Sequence, residues 1–310
     1  MDARSFDKVL VIANPTSGGC TAHRWLGRVA AAFAEAGCRT ETAVTERAGH
    51  ARELAASHGS DNALLVAFGG DGTANEVLNG ADFSRSALAV IPAGAGNVLA
   101  KELGMSRWPP KAVRQLLCGR VVRFDVGVCN GRRFACVFGA GVDAWVVRMV
   151  HERRRGGSTQ WHYIPHLVCG LLSPVPWNLS VEVDGVPFAK DLDQVAVGNT
   201  HSYGGPIEMT PAASPRDGLF DVMGARRQGP AEMIRLAACG LLRAVHRTDL
   251  VCYGRGRRVC VSSSRSGVPC ELDGDDAGVL PAEIVMQAAA ARVLVPSGFR
   301  AAPRAIPDRA

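Results

Sequence analysis

The sequence predicts an α/β domain built on a parallel sheet, followed by a mostly antiparallel β domain. Two observations carry that prediction. Short apolar runs alternate with helix signals up to about Arg120, the order expected of strand–helix–strand units. Beyond Arg120, strand-like runs come in pairs around Asn-Gly and Asp-Gly dipeptides, the strongest short-range hairpin signal.

In the first part, Lys8–Ala13 (KVLVIA) reads as a strand. The helix-like run HRWLGRVAAAFAEAG follows, with Thr21 as its cap and Gly37 at its end. Thr40–Thr45 reads as a second strand and His50–Ser57 as a helix. Ala63–Phe68 (ALLVAF) is apolar throughout and runs into Gly-Gly, as a buried parallel strand does. A helix over Ala74–Asn79, a strand over Ala87–Ile91 and a helix over Asn97–Leu103 complete the alternation. In the second part, Asn130-Gly131 separates VVRFDVGVC from RRFACVFGA, and Asp184-Gly185 separates LSVEV from VPFAK. Asp217-Gly218 and Asp273-Gly274 are further turn candidates. Helices are expected near Trp145–Arg154 and Pro230–His246, and Ala291–Val295 reads as a strand returning to the first domain. The expected division is residues 1–125, with about 288–298, for the α/β domain and residues 126–287 for the β domain. Residues 299–310 are Pro- and Ala-rich and are expected to form a disordered tail.

At 310 residues, 47% apolar and 21% charged, the chain has the profile of a globular protein large enough for two cores. A formal net charge of +6 favours anionic partners without naming one; nucleotide phosphates, acidic headgroups and nucleic acid all qualify. The ten cysteines form no CxxC pair and sit singly, mostly in apolar stretches, as Cys118, Cys136 and Cys239 do. That pattern reads as a reduced, cytosolic protein rather than a disulfide or zinc framework. No signal peptide is expected. The longest uncharged stretch, about 156–181, holds Pro165, Pro174 and Pro176 among polar side chains, which argues against a membrane-spanning helix.

Three turns carry candidate chemistry. Asn14-Pro15-Thr16-Ser17-Gly18-Gly19 follows a strand and precedes a helix, so backbone N–H groups and a helix N-terminus can face an anion. A βα turn without a ligand fits that segment equally well. Gly69–Glu76 (GGDGTANE) ends an apolar strand in two glycines, then sets an acid and Gly-Thr at a helix start. Its glycines admit a triphosphate close to the backbone, Thr73 offers a hydroxyl, and Asp71 offers a carboxylate for Mg²⁺ or proton transfer. Ile91–Asn97 (IPAGAGN) repeats the strand–turn–helix pattern, so three such turns line the sheet end where open α/β sheets bind ligands. Neither GxxxxGK[ST] nor a GxGxxG after the first strand is present, which sets aside P-loop and Rossmann sites.

With these residues the chain resembles the diacylglycerol kinase and sphingosine kinase family of lipid kinases, in its bacterial form. The matching segments are Asn14-Pro15 with Ser17-Gly18-Gly19, Thr45 with Gly49-His50-Ala51, Gly69–Glu76, and Pro92-Ala93-Gly94 through Asn97 to Ala100. They continue with Gly198-Asn199, Tyr203-Gly204-Gly205, Pro211-Ala212, Asp217–Val222 and Leu272-Asp273-Gly274-Asp275, in order over nearly the whole chain. The GGDGT loop alone is shared with NAD kinases; the later motifs point to lipid kinases.

The resemblance implies an NAD kinase-like α/β domain and a β-sandwich domain with a cleft between them. It implies that ATP is held by Asn14, Pro15, Thr16, Ser17 and Gly18, by Thr45, and by Gly69, Gly70, Asp71, Gly72, Thr73, Ala74 and Asn75. It places the proton acceptor at the third position of a DGE motif, here Asp275; on the reading of the GGDGT loop above, Asp71 is the second candidate catalytic carboxylate. A structural Mg²⁺ site maps to Ser214, Asp217 and Leu219, of which only Asp217 brings a charge. Two departures stand out. Asp275 is one methylene shorter than the family's Glu, and Ala95 stands where a threonine hydroxyl is expected at the nucleotide. One lost hydrogen bond to a charged group costs about 1.5–3 kcal/mol, which weakens ATP binding without abolishing it.

Two basic segments bear on membranes. His151–Arg155 either touches acidic headgroups or is a solvated helix end; Ala231–Arg247 either lies on a membrane as a basic amphipathic helix or packs on its own domain. The expected function is transfer of the γ-phosphate of Mg·ATP to the hydroxyl of a membrane lipid, diacylglycerol-like or sphingoid-like. The expected location is the cytoplasm, peripherally at the inner face of the membrane. A nucleic-acid partner is not expected, and a homodimer is left open. The rival expectations are an NAD kinase-like activity and a nucleotide- or lipid-binding protein that has lost catalysis.

Overall fold

The computed structural model describes residues 2–58, 62–152, 176–201, 208–226, 230–242, 245 and 248–301. The chain divides into two units, Met1–Phe124 with Ala289–Arg300, and Asp125–Ala288 with Ala301–Ala310.

In the first unit, β1 (Lys8–Ala13), α1 (Thr21–Glu35), β2 (Thr40–Val44), α2 (His50–His58), β3 (Ala63–Gly69), α3 (Asp71–Gly80) and β4 (Ser86–Pro92) alternate, and α4 (Val98–Glu102) and α5 (Pro109–Leu117) follow. The strands pair in parallel in the order β4-β3-β1-β2. Every residue of β3 and β4 is buried, as strands covered on both faces must be. The register sets Ala13 beside Val44 and Phe68, and Gly69 beside Pro92, so all four strands end at one edge.

Two local expectations are corrected. Thr21 is the first helical residue of α1 rather than its cap; Cys20 holds the cap position in a left-handed conformation, and the Thr21 hydroxyl donates back to the Gly18 carbonyl at 2.9 Å. Helix α3 begins at Asp71 rather than at Ala74. Helix α5 is not among the expected elements, although its opening on Pro109-Pro110 is a helix-start signal; it buries Ala112, Val113 and Leu116.

The second unit contains β6 (Arg132–Phe134), β7 (Val137–Gly141), α6 (Val142–Glu152), β8 (Leu179–Val183), β9 (Val186–Gly198), β10 (Phe220–Arg226), α7 (Pro230–Leu241), β11 (Val251–Gly256), β12 (Arg258–Ser263), β13 (Pro269–Leu272) and β14 (Asp275–Val279). Strand β5 (Arg120–Cys129) leads the chain into it, and β15 (Ala282–Val295) leads back to the first unit, where Val293 pairs with Leu88. The hydrogen-bonded order is β14-β13-β7-β9-β8-β12-β15; β10 joins β9, and β11 joins β10. These pairings are antiparallel. The expected tight turns are present. Asn130-Gly131, Asp184-Gly185 and Asp273-Gly274 each place two residues at positive φ, as two-residue hairpin loops require. The apolar faces meet over Phe134, Phe138, Phe220, Leu192 and Ile284, with Phe134 and Phe220 stacked at 5.8 Å.

Arg153–Arg155, residues 156–175, Tyr203-Gly204-Gly205, Arg243, Arg247 and the tail from 302 lie outside the described residues. Among the described residues no helix is long and apolar enough to cross a membrane.

Candidate active site

The shared strand edge of the first unit brings the predicted turns together. Pairing continues one residue past the strands: Asn14 N–H donates to Phe68 O at 3.0 Å, Thr45 N–H to Ala13 O at 2.9 Å, and Ala93 N–H to Gly69 O at 2.7 Å. Asn14 then folds its own loop, its Oδ1 accepting from Thr16 N–H at 3.1 Å and Thr16 Oγ1 at 2.9 Å, while Ser17 N–H reaches Asn14 O at 3.2 Å. Gly18 sits at φ +54°, and a Cβ there would overlap the carbonyl of Ala93. A Cβ on Gly94 would lie 2.5 Å from the Gly70 Cα. The turns at 14–19, 69–73 and 93–97 therefore touch one another, and only glycine allows that approach. Helices α1 and α3 start here without side-chain caps, so their N-termini suit an anion.

Asp71 opens α3. Its Oδ1 accepts from Leu99 N–H at 3.4 Å, and its Oδ2 lies against Gly96. Thr73, Ala74 and Asn75 are buried, with Thr73 packed against Gly69. Glu76, whose role the spacing did not reveal, caps α2: its two oxygens accept from Gly49 N–H at 2.8 Å and Ala51 N–H at 3.0 Å. The turn carrying Ala95 is built by Asn97, which accepts from Gly94 N–H at 2.8 Å and donates to Gly94 O at 2.6 Å. Arg107 also donates to Gly94 O at 3.3 Å. No sequence signal singles out Arg107.

In the second unit, the two aspartates of Asp273-Gly274-Asp275 have different surroundings. Asp273 is buried and accepts from three consecutive backbone amides, Ala135 at 2.8 Å, Cys136 at 2.8 Å and Val137 at 3.0 Å. Glu271 holds the turn from below, accepting from Gly274 N–H at 2.6 Å. Asp275 begins β14 with its side chain 31% exposed and the Arg132 guanidinium 3.7 Å away. Beneath the turn, Asp143 and Glu271 crowd the open face of Gly139, where a Cβ would meet both carboxyls. Burial pushes Asp143 up to about 7 and Glu271 well above the usual carboxylate range, Glu271 being raised further by the charges of Asp143, Asp273 and Asp275. Asp143 Oδ2 is buried without a hydrogen-bond partner. An acid two residues before an Asp-Gly turn, on a strand otherwise apolar, is the signal that could have found Glu271.

The profile of the diacylglycerol kinase catalytic domain matches residues 8–129, and that of the YegS C-terminal NAD kinase beta sandwich-like domain matches residues 136–295. A diacylglycerol kinase of Bacillus subtilis (strain 168) is 35% identical over 282 residues, spanning 89% of this chain and 92% of the relative. The chain belongs to the diacylglycerol kinase family of lipid kinases. It is a phosphotransferase with an alcohol group as acceptor. A diacylglycerol kinase of Mycobacterium tuberculosis (strain ATCC 25618 / H37Rv) is 32% identical over 303 residues, 93% of this chain and 95% of that one. Two solved structures from Bacillus anthracis str. Sterne share the fold, one of a diacylglycerol kinase at TM-score 0.73 and 20% identity, another at 0.78 and 22%, covering 95% and 94% of this chain and 99% and 98% of theirs.

Of the residues expected to hold a structural Mg²⁺ in this lipid kinase, Asp217 has protein partners instead. Asp217 Oδ1 accepts from Leu219 N–H at 3.1 Å, and Asp217 Oδ2 is bonded to the Arg255 guanidinium. Arg255 Nε also lies 2.9 Å from Asp221 Oδ1. Ser214 is buried, its Oγ without a hydrogen-bond partner. As placed, this set does not fit a divalent cation, which needs about six oxygen ligands and no adjacent guanidinium. Among the described residues, no group of three or more His, Cys, Asp or Glu side chains is arranged to hold a metal.

Proposed function

We propose that this lipid kinase transfers the γ-phosphate of Mg·ATP to the hydroxyl of a membrane lipid, diacylglycerol-like or sphingoid-like. The observation that carries the reading is the three-turn contact in the first unit, Gly18 against Ala93 and Gly94 against Gly70, between two uncapped helix starts. Glycine at such contacts keeps side chains away from a polyphosphate, and the helix N-termini favour its charge. ATP supplies the phosphoryl group, with Mg²⁺ neutralising the phosphates it binds. Asn14, Thr16 and Thr45 would hold the nucleotide, and Asp71 would supply a carboxylate for its Mg²⁺.

Transfer forms a bond between the lipid oxygen and the γ-phosphorus and breaks the bond to the β-phosphate oxygen, releasing ADP. The hydroxyl proton passes to Asp275. Catalysis of this kind is mostly positioning and electrostatics, so one carboxylate near the acceptor is sufficient chemistry. The apolar chains of the lipid are taken up by the second unit, and the enzyme approaches the membrane from the cytoplasmic side. Named relatives support the lipid class: the Bacillus subtilis and Mycobacterium tuberculosis proteins are diacylglycerol kinases.

The test is ATP consumption and lipid phosphorylation with labelled ATP in mixed micelles carrying diacylglycerol, a sphingoid base, ceramide or a polyprenol, with NAD as a soluble competitor substrate. Lipid-dependent turnover that Asp71→Asn abolishes in a folded protein is the expected result. Phosphorylated NAD without lipid dependence, or no turnover on any acceptor, rules the proposal out.

A further inference from the structure

We infer that the guanidinium of Arg255 takes the place of the structural divalent cation at the Asp217 loop, so that the second unit holds this loop without Mg²⁺. The placement of Arg255 is set by strand register rather than by a flexible side chain finding a partner. Strands β10 and β11 run antiparallel, and Asp221 is the direct cross-strand partner of Arg255, with Phe220 opposite Gly256 and Val222 opposite Gly254 on either side. Asp221 is fully buried, so its carboxylate needs a cation or a proton. Arg255 Nε meets it at 2.9 Å. The far end of the same guanidinium reaches Asp217. One planar cation thus bridges two carboxylates four residues apart in sequence, a geometry to which an arginine fork is suited and a lysine is not.

The rest of the loop is held by protein groups as well. Asp125 Oδ2 accepts from Gly218 N–H at 2.8 Å, and Asp125 N–H donates to Pro215 O at 2.7 Å. Asp217 Oδ1 is taken by Leu219 N–H. The loop from 214 to 219 is therefore tied at Pro215, Asp217 and Gly218, and its one carboxylate is paired with Arg255. A divalent ion here would have to displace the guanidinium from Asp217 and stand beside its positive charge. Arginine and metal are alternatives at this position, and the register favours arginine. The inference concerns folding of the second unit and stands apart from the phosphoryl-transfer reading; Mg²⁺ that arrives with the nucleotide is a separate ion.

The experiment is thermal melting of the full, nucleotide-free chain in EDTA and across a Mg²⁺ titration, for the wild type, Arg255→Ala and Asp217→Asn. The wild type is expected to melt at the same temperature in EDTA and in millimolar Mg²⁺. Arg255→Ala is expected to melt lower in EDTA and to recover part of the loss saturably as Mg²⁺ is added, because removing the guanidinium frees the Asp217 carboxylate for a cation. If Arg255→Ala does not fold, Arg255→Gln, which keeps bulk and removes charge, carries the same comparison. Two results overturn the inference. One is a saturable rise in wild-type melting temperature with Mg²⁺ that Asp217→Asn removes, which makes the cation the loop's own ligand. The other is an arginine variant that is destabilised but indifferent to Mg²⁺, which makes Arg255 an ordinary ion pair.

Discussion

Asp273→Asn changes one oxygen to an NH₂ group at the foot of the Asp273-Gly274-Asp275 turn. The carboxylate receives three buried amides, two on Oδ1 and one on Oδ2. An asparagine can keep Cys136 and Val137 on its carbonyl oxygen, but its NH₂ then faces the N–H of Ala135 from the 2.8 Å position of the lost acceptor. An unsatisfied buried N–H costs about 1–3 kcal/mol, and losing charge on the other two bonds removes roughly 1 kcal/mol from each. The expected loss is about 3–5 kcal/mol, or of the order of 10 °C in melting temperature for a unit of this size. Asp275→Asn is the matched control, since that side chain is partly exposed and the Arg132 guanidinium stands 3.7 Å away; such pairs are worth about 0–1 kcal/mol. Denaturant unfolding followed by circular dichroism measures both. If Asp273→Asn unfolds within about 1 kcal/mol of wild type, or if Asp275→Asn loses as much, the view of Asp273 as the anchor of the turn is refuted.

Asp143→Asn tests the buried acid pair through pH. Asp143 titrates at about 7 in the folded chain against an ordinary value of 3.8, so between those values the unfolded chain has released a proton that the folded chain keeps, and stability falls as pH rises. The variant, neutral throughout, is expected to match wild type near pH 4 and to be more stable than it above pH 7; a pH-independent difference in melting temperature counts against the pair. Ala95→Thr adds a hydroxyl to the turn that Asn97 and Arg107 brace, and should lower KM for ATP by at most roughly tenfold to a hundredfold. An unchanged or higher KM shows a loop rebuilt around alanine. Asp275→Ala should lower kcat by at least about a hundredfold with little change in melting temperature, and Asp275→Glu should keep substantial activity. Retention of most kcat by the alanine variant moves the proton to another acceptor, with Asp71 first in line.

Local chemistry made much of the fold legible. Asn130-Gly131, Asp184-Gly185 and Asp273-Gly274 could be placed as turns because few residue pairs tolerate two successive positive φ values. The continuous apolar run at Ala63–Phe68 could be placed as an interior parallel strand because only a strand covered on both faces lacks a polar side. The Gly-rich turns could be assigned to one sheet edge because parallel strands end together. Helix α5 escaped this reading: it is short, and its burial depends on packing partners that its own nine residues do not reveal.

What the sequence by itself determined, then, is the set of turns, the two kinds of sheet and the residues that gather at the strand ends of the first unit. The tertiary structure decided which of two neighbouring aspartates is an anchor: Asp273 is buried on the amides of residues 135–137, whereas Asp275 is partly exposed beside Arg132. It also decided the partner of Asp217. Arg255 lies in a different strand, and its place beside Asp221 is a matter of β10–β11 register. Register is fixed by which faces of two distant segments are buried together, a non-local balance of packing and hydrogen bonding that no local pattern around either residue encodes.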